Sequence, residues 1–299
     1  MLALIAGTGD LPAALVARRA RRPLICALQG FEPTIPVDIT FRLEHLGSLL
    51  AQLQTEGVTQ VCMAGAIRRP NIEPDLIDEK TKPLVPQVMA ALGQGDGGAL
   101  KVVISIFEDA GFHVLAAHEI APDLLPPVGV LTAASPTQTQ QTDATLGATC
   151  LVDMGAADVG QACLINEGKV IATESQEGTE ALLRGAGTPF KSGPDDSVVD
   201  GLADIALGVF DSAADFLVGG PAPTHDLSGA MLFKAPKPNQ DWRADLPVIG
   251  AQTADQAVRA GLSGIVIEAG GVMVLDLPVV IATLDAHGWI LWVRRKGAQ

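Results

Sequence analysis

The sequence predicts an α/β protein with two α/β domains joined by a linker, the N-terminal one Rossmann-like with a mostly parallel sheet. Composition is the first reason: aromatic residues make up only 4% of the chain and tyrosine is absent. Such a composition is typical of Val/Ile/Leu strands covered by Ala/Leu-rich helices. The second reason is that short apolar runs alternate with segments of helical periodicity in the first half, which favours a parallel sheet.

Each element of the first half follows from this alternation. A glycine turn separates the first apolar run from the first helical segment, and each later helical segment lies between two apolar runs. The predicted strands are 2–6, 24–28, 58–64 and 112–116, and the predicted helices are 13–22, 46–56 and 100–110.

A polar, proline-broken stretch then interrupts the pattern and indicates a linker. We therefore assign residues 1–130 to the first domain, 131–143 to the linker and 144–299 to the second domain. The turn Asn166-Glu167-Gly168 suits a hairpin. In the second domain, the predicted helices are 144–156, 179–183, 195–208, 253–260 and 278–287, and the predicted strands are 161–165, 169–174, 264–268, 272–275 and 290–293.

Charge and composition exclude several classes of function. The formal net charge of −14 argues against nonspecific binding to nucleic acid, because phosphate backbones need a positive surface. The four cysteines form no CxxC pair, so we expect buried reduced thiols rather than a zinc or redox site. We find no signal peptide and no apolar run of about 20 residues. We therefore expect a soluble, cytoplasmic chain.

The glycine turn Gly7-Thr8-Gly9 lies between the first predicted strand and helix. Glycines there allow close approach of the backbone to a phosphate, although a plain strand–helix turn explains them equally well. The turn is not a complete GxGxxG fingerprint, because Pro12 takes the last position. The second predicted strand also ends in Leu28-Gln29-Gly30 without the acidic residue that NAD-binding sites use, which weakens the alternative of an NAD(P)-dependent oxidoreductase.

Further candidate residues follow predicted strands. Gly65, Arg68 and Arg69 come at the carboxyl end of the third strand, the side on which open α/β sheets bind ligands, and arginine suits bidentate phosphate recognition. Carboxylates next to the predicted hairpin are Mg²⁺ ligands or turn and cap residues, and spacing leaves both interpretations open. These carboxylates are Asp158, Glu174 and Glu177.

Cations and carboxylates crowd into residues 234–250, which we call the cationic segment. Pro236 and Pro238 exclude a regular helix in its first half, so a stiff loop or edge strand is predicted. Cations there suit phosphate oxygens, and carboxylates suit a divalent metal or a water molecule. A solvated loop with internal ion pairs is the alternative. The polar residues of the segment are Lys234, Lys237, Gln240, Asp241, Arg243 and Asp245.

Several motifs together resemble one family. The motifs are IAGTGDLP, MAGAIRRP, GDGGAL, GFHVLAAHEIAPDLL, ADVGQACLINEGKVIATESQEGTEALL, KAPKPNQDWRADLPVIGAQT and IEAGG, in this order from residue 2 to about residue 293. With them the chain resembles the LpxI-type UDP-2,3-diacylglucosamine pyrophosphatases. The KxPKPxQDxRxDLPxIG element is the most specific of these motifs.

The resemblance implies hydrolysis of the pyrophosphate of UDP-2,3-diacylglucosamine to UMP and 2,3-diacylglucosamine 1-phosphate (lipid X), in lipid A biosynthesis. It also implies two domains that clasp the substrate and a divalent cation, typically Mg²⁺. An aspartate of the KPxQD element is needed for turnover in the family, and that position here is Asp241. We take Asp241 as catalytic residue and metal ligand, and Asp245 as second metal ligand. Substrate-binding residues are expected to be Gly7, Thr8, Gly9, Gly65, Arg68, Arg69, Gln161, Thr179, Lys234, Lys237, Gln240 and Arg243.

The expected partner is a small lipid-linked UDP-sugar rather than a nucleic acid. No basic amphipathic helix is evident, so contact with the inner membrane is expected to be transient at most; a homodimer is left open. A non-catalytic nucleotide-sugar sensor remains as the alternative of another class. Such a sensor would need the lysines and arginines but not Asp241.

Overall fold

The structure is a computed structural model that describes residues 1–67, 72–92, 96–157, 159–175, 177–186, 188–189, 226–238 and 240–297. The chain divides into two compact units. The first comprises Met1–Leu124 with Gln240–Leu246, and the second comprises Leu125–Asn239 with Pro247–Gln299. The cationic segment thus contributes residues to both units.

The first unit contains a five-stranded sheet in the described residues, with the order β3-β2-β1-β4-β5. Every neighbouring pair in it is parallel, which is the order and direction of a Rossmann-type sheet and confirms the predicted class. The strands are β1 (Leu2–Ala6), β2 (Leu24–Leu28), β3 (Ile39–Phe41), β4 (Gln60–Ala64) and β5 (His113–Leu115). The helices are α1 (Leu11–Ala17), α2 (Leu46–Thr55), α3 (Val85–Leu92), α4 (Asp96–Asp109) and α5 (Ala117–Ile120).

The core of the first unit joins α2 and α4 to the sheet. Leu49 and Leu53 of α2 and Phe107 of α4 form one buried cluster with Ile5 and Val61 of the central strands. Because β1 and β4 are parallel neighbours, their carboxyl ends lie at the same edge of the sheet. The glycine turn after β1 and Gly65 after β4 are therefore brought to one edge.

The second unit contains a seven-stranded sheet of order β6-β14-β12-β10-β7-β8-β9 and a two-stranded sheet, β11-β13, in its described part. Strands β10, β12 and β14 run parallel to one another. The strands are β6 (Gly129–Val130), β7 (Ala162–Asn166), β8 (Lys169–Thr173), β9 (Thr188–Pro189), β10 (Met231–Lys234), β11 (Val248–Ile249), β12 (Gly264–Glu268), β13 (Met273–Val274) and β14 (Ile290–Arg294). The helices are α6 (Gln138–Ala156), α7 (Thr179–Ala181), α8 (Ala251–Arg259) and α9 (Leu277–Asp285).

Both faces of the larger sheet are covered, because successive side chains of a strand point to opposite faces. On β10, Leu232 belongs to the cluster that includes Ala254 of α8 and Leu284 of α9. Its neighbour Phe233 belongs to the cluster that includes Met154 of α6. Parallel strands buried on both faces explain the near-continuous apolar sequence of β10, β12 and β14.

Several element boundaries differ from the prediction. Helix α6 begins at Gln138 rather than at residue 144, because Thr137 caps it: the Thr137 side chain accepts a hydrogen bond from the Gln140 N–H, and the Gln140 side chain accepts one from the Thr137 N–H. Helix α3 lies in a span where no helix was predicted. The predicted helix 179–183 is a three-residue helix, α7, followed by a wide π-helical turn at Leu182–Ala186. The predicted helix 195–208 lies outside the described residues.

The predicted hairpin is confirmed. Strands β7 and β8 are antiparallel and joined at the predicted turn, with Asn166 opposite Lys169. The Asp143 carboxylate accepts the N–H groups of Glu167 and Gly168 in that turn. All four cysteines are buried and none is in a disulfide. Within the described ranges, no helix combines the length and the apolar character that crossing a bilayer requires.

Candidate active site

The glycine turn after β1 is locked to the loop after β4. The Thr8 N–H donates to the Ala66 carbonyl at 3.0 Å, and the Ala66 N–H donates back to the Thr8 carbonyl at 2.9 Å. A Cβ atom on Gly7 would lie 2.5 Å from the Ala66 carbonyl oxygen, and one on Gly65 would lie 2.7 Å from the Gly7 carbonyl carbon. Because a real Cβ does not come that close to backbone atoms, Gly7 and Gly65 are required by the contact between the two loops.

Gly9 is different from these two glycines. It is exposed with a φ of +94°, and no atom would lie within 4 Å of its added Cβ. The Thr8 hydroxyl donates to the Ala66 carbonyl at 3.1 Å, so it supports the loop contact. Arg68 and Arg69, predicted to bind substrate at this edge, lie outside the described residues.

Asp241 is held by Arg243 through three hydrogen bonds. The guanidinium donates from Nε to Oδ1 at 2.9 Å and from Nη2 to Oδ2 at 2.7 Å, and the Arg243 N–H donates to Oδ1 at 3.1 Å. The Asp241 side chain is 15% exposed. Hydrogen bonds from the Arg243 guanidinium hold the pKa of the Asp241 carboxyl below its usual range. Asp241 is therefore an anion at neutral pH with a fixed orientation.

The arginine has a second carboxylate partner in the first unit. Arg243 Nη1 donates to Glu108 Oε1 of α4 at 2.6 Å, and Lys101 of the same helix also lowers the pKa of Asp241 through its charge. Glu108 was not among the predicted site residues, because it is distant in sequence and lies outside the motif that opens its helix. The structure thus anchors the turn around Asp241 to α4.

Asp245 lies close to Asp241 in the same turn. The Asp245 N–H donates to the Asp241 carbonyl at 3.1 Å, and Gln240 Nε2 donates to Asp245 Oδ2 at 2.6 Å. Trp242, between them in sequence, is 42% exposed and meets the His118 ring edge-on, with ring centroids 6.2 Å apart. Residues 240–245 therefore form a compact turn with internal hydrogen bonds.

The two carboxylates expected to hold a metal ion lie in this turn and accept hydrogen bonds from Arg243 and Gln240. Mg²⁺ is usually bound by one or two carboxylates together with substrate phosphates, not by a dedicated protein cage. Asp241 and Asp245 supply two carboxylates within one turn. No group of three or more His, Cys, Asp or Glu side chains suited to a metal occurs in the part of the chain that the structure describes.

In the second unit, three predicted substrate-binding residues meet around Glu174. Lys234 Nζ donates to the Thr179 hydroxyl at 2.7 Å, and that hydroxyl donates to Glu174 Oε1 at 2.5 Å. The Gln161 N–H donates to Glu174 Oε2 at 2.7 Å. From its sequence position, Glu174 was expected to be a metal ligand or a turn and cap residue. Both of its oxygens instead accept hydrogen bonds from protein groups.

Two other carboxylates near the hairpin, Asp158 and Glu177, were also candidate metal ligands. Asp158 lies outside the described residues. The Glu177 N–H donates to the Ser175 hydroxyl at 3.3 Å, which is a turn contact.

Lys237 lies on a loop that packs tightly in the second unit. A Cβ on Gly155 of α6 would lie 2.3 Å from Pro238 Cδ, and a Cβ on Gly271 would lie 2.6 Å from Pro236 Cδ. Small residues in two neighbouring elements therefore let the two prolines approach. This packing fixes the backbone on both sides of Lys237, which is itself partly buried.

Comparison with known proteins agrees with this fold and these motifs. Residues 1–124 match the family model of the LpxI N-terminal domain, and residues 127–292 match that of the LpxI C-terminal domain. The chain is 33% identical over 296 residues to a Caulobacter vibrioides protein, the UDP-2,3-diacylglucosamine pyrophosphatase LpxI, with 96% of this chain and 95% of the relative covered. The chain belongs to the LpxI family.

Proposed function

We propose that this protein hydrolyses the pyrophosphate bond of UDP-2,3-diacylglucosamine to give UMP and 2,3-diacylglucosamine 1-phosphate, a step of lipid A biosynthesis. The observation that carries the proposal is the match over nearly the full length of both chains to a relative named for this pyrophosphatase activity. The ionised, oriented Asp241 supports it, because hydrolysis of a phosphoric anhydride needs a group that positions water or metal.

Charge stabilisation is the main task of such a site. The pyrophosphate diester carries two negative charges, and cleavage moves further negative charge onto the leaving phosphate. Fixed cations aimed at that charge lower the barrier without reorganisation during the reaction. We assign this role to Lys234, Lys237 and Arg243, and we assign nucleotide or phosphate binding to the glycine turn with Arg68 and Arg69.

The lowered pKa of Asp241 argues against a role as general base. A general base works best when its pKa is near the working pH, whereas the Arg243 guanidinium lowers the pKa of Asp241. Such a carboxylate is a weak base but a good metal ligand and hydrogen-bond acceptor. We therefore assign Asp241 to holding a metal ion or orienting the attacking water.

We propose Mg²⁺ as the cofactor, with Asp241 and Asp245 as the residues that would hold it. When bound, a divalent cation neutralises charge on phosphate oxygens and acts as a Lewis acid. The two carboxylates fit this role because they lie in one turn and magnesium accepts phosphate oxygens as its other ligands.

We propose that the enzyme meets its substrate at the cytoplasmic side of the inner membrane, with transient contact only. Acyl chains hold the substrate at a bilayer, while the UMP portion is a water-soluble leaving product. The net charge of −14 disfavours lasting attachment to anionic lipid, because like charges repel.

The proposal is tested with the Asp241→Asn variant, which keeps the size of the side chain and removes its charge. We expect wild-type protein to release UMP and the variant to bind the substrate with turnover reduced at least about a hundredfold. Near-full turnover by the variant would refute the role of Asp241. Binding without turnover by the wild-type protein would favour a nucleotide-sugar sensor.

A further inference from the structure

A buried ammonium group lies at the end of β10. Lys234 is 5% exposed and Glu174 is 6% exposed, so both charges are largely removed from water. Burying an unpaired charge costs several kcal/mol, and a hydrogen-bonded partner of opposite charge reduces that cost. Glu174 is such a partner, but it reaches the lysine through another side chain.

Among the described residues, the Thr179 hydroxyl connects the two charges. The Thr179 hydroxyl accepts a hydrogen bond from Lys234 Nζ at 2.7 Å and donates its own proton to Glu174 Oε1 at 2.5 Å. A hydroxyl has one proton to donate and lone pairs to accept. With a carboxylate on one side and an ammonium on the other, the direction of both bonds is fixed.

Hydrogen bonds with backbone groups of β7 and the residue before it hold Glu174 in place. Its N–H donates to the Ala162 carbonyl at 2.9 Å, and its second carboxylate oxygen accepts the Gln161 N–H. Ala162 is the register partner of Lys234 across the antiparallel pair of β7 and β10. These backbone contacts therefore place Glu174 and Lys234 at the same end of neighbouring strands of one sheet.

We infer that Glu174 is a positioning residue for Lys234 and acts through the Thr179 hydroxyl; this rests on the proposed role of Lys234 in hydrolysis. A lysine side chain is flexible and loses rotamer entropy when it is ordered. An ammonium oriented before substrate arrives stabilises developing charge without that ordering cost in the transition state. Thr179, predicted to bind substrate, links the carboxylate to the lysine.

Three variants test this inference by steady-state hydrolysis of UDP-2,3-diacylglucosamine. Thr179→Val keeps the shape and removes the hydroxyl, Thr179→Ser keeps the hydroxyl, and Glu174→Gln removes the charge. We expect Thr179→Val and Glu174→Gln to lower kcat about tenfold to a hundredfold, the range for a hydrogen bond to a charged group, with little change in KM. Thr179→Ser is expected to stay within about threefold of the wild type in kcat, because the hydroxyl and its hydrogen bonds to Lys234 and Glu174 are retained.

Asp143→Asn is the matched control for a lost buried carboxylate. Asp143 is 3% exposed, lies in the same unit and accepts two turn N–H groups. We expect it to lower the melting temperature and to leave kcat unchanged. The inference is overturned if Glu174→Gln and Thr179→Val lose stability as Asp143→Asn does and keep the wild-type kcat. If Glu174→Gln does not fold, the kcat values of Thr179→Val and Thr179→Ser decide. A wild-type kcat in both variants then overturns the inference.

A second measurement separates this inference from the proposed function. In protein with ¹⁵N-labelled lysine, a buried, hydrogen-bonded ammonium gives a slowly exchanging signal, which Lys234→Met identifies by its loss. We expect Thr179→Val and Glu174→Gln to shift or broaden that signal and Thr179→Ser to retain it. An unchanged signal in all three variants overturns the positioning role. Absence of hydrolysis by the wild type, with the signal changes as expected, would refute the proposed function alone.

Discussion

Replacing Gly65 by alanine tests the contact between the glycine turn and the loop after β4. Gly65 has a φ of +92°, and its added Cβ would lie 2.7 Å from Gly7 and Thr8 backbone atoms. Those atoms cannot easily retreat, because the Gly7 N–H donates to the Ala64 carbonyl at 2.8 Å and Thr8 is paired with Ala66. The substitution therefore forces the two loops apart.

The magnitude follows from two separate costs. A left-handed backbone costs about 1–2 kcal/mol with a side chain, and overpacking costs a further 1–3 kcal/mol, roughly. We expect Gly65→Ala to lower the free energy of opening of the β1–β4 hydrogen bonds by about 3 kcal/mol. Gly57→Ala is the control: Gly57 has a φ of +71° and open space around the added Cβ, so only the backbone cost of about 1 kcal/mol remains.

Hydrogen exchange of the β1 and β4 amides measures this difference directly. A gap of about 2 kcal/mol corresponds to about thirtyfold lower protection in Gly65→Ala than in Gly57→Ala. Equal protection in the two variants would refute the reasoning, since it would show that the two loops have room for a methyl group.

Three further predictions concern other described residues. The Arg42 side chain lowers the pKa of Glu44 to about 2, so the Glu44 carboxylate stabilises the fold fully above pH 4.5 and loses that contribution as the pH falls toward 2. Glu44→Gln should therefore flatten the fall of the urea unfolding midpoint between pH 4.5 and 2. An equally steep fall in the variant would contradict this role of Glu44. Gly271→Ala should reduce kcat/KM about tenfold or more, because the added methyl group would displace Pro236 in the loop that carries Lys237. Gly270→Ala should retain activity, because no atom lies within 4 Å of its added Cβ. Equal effects of the two substitutions would exclude steric displacement as the cause. Arg243→Lys should lower kcat about tenfold because paired hydrogen bonds to the carboxylate are lost, and a wild-type kcat would show that they are dispensable.

The first sheet was predictable because its signals are local. Alternating apolar runs and helical segments identified four of its five strands, and the glycine turn identified the edge of the sheet. The start of α6 was predicted wrongly although its signal was present. Thr137 and Gln140 form a capping box, but the prolines and polar residues before them had been interpreted as part of a linker.

The partners of the candidate site residues could not be predicted, because side-chain contacts depend on the folded arrangement. Glu108 meets Arg243 across 135 positions of sequence, and Thr179 meets Lys234 across 55. Glu108 lies outside the motifs, and Glu174 lies within one but was expected only as a metal ligand or a turn and cap residue. The cationic segment itself was visible in sequence because unlike charges and prolines cluster there.

The most direct test of the central claim is release of UMP from UDP-2,3-diacylglucosamine by the purified protein, with Mg²⁺ and with EDTA. The account predicts UMP and 2,3-diacylglucosamine 1-phosphate in equal amounts with Mg²⁺, and loss of both with EDTA. Absence of both products at every metal concentration would contradict the proposed hydrolysis, and equal release with EDTA would contradict the metal role of Asp241 and Asp245.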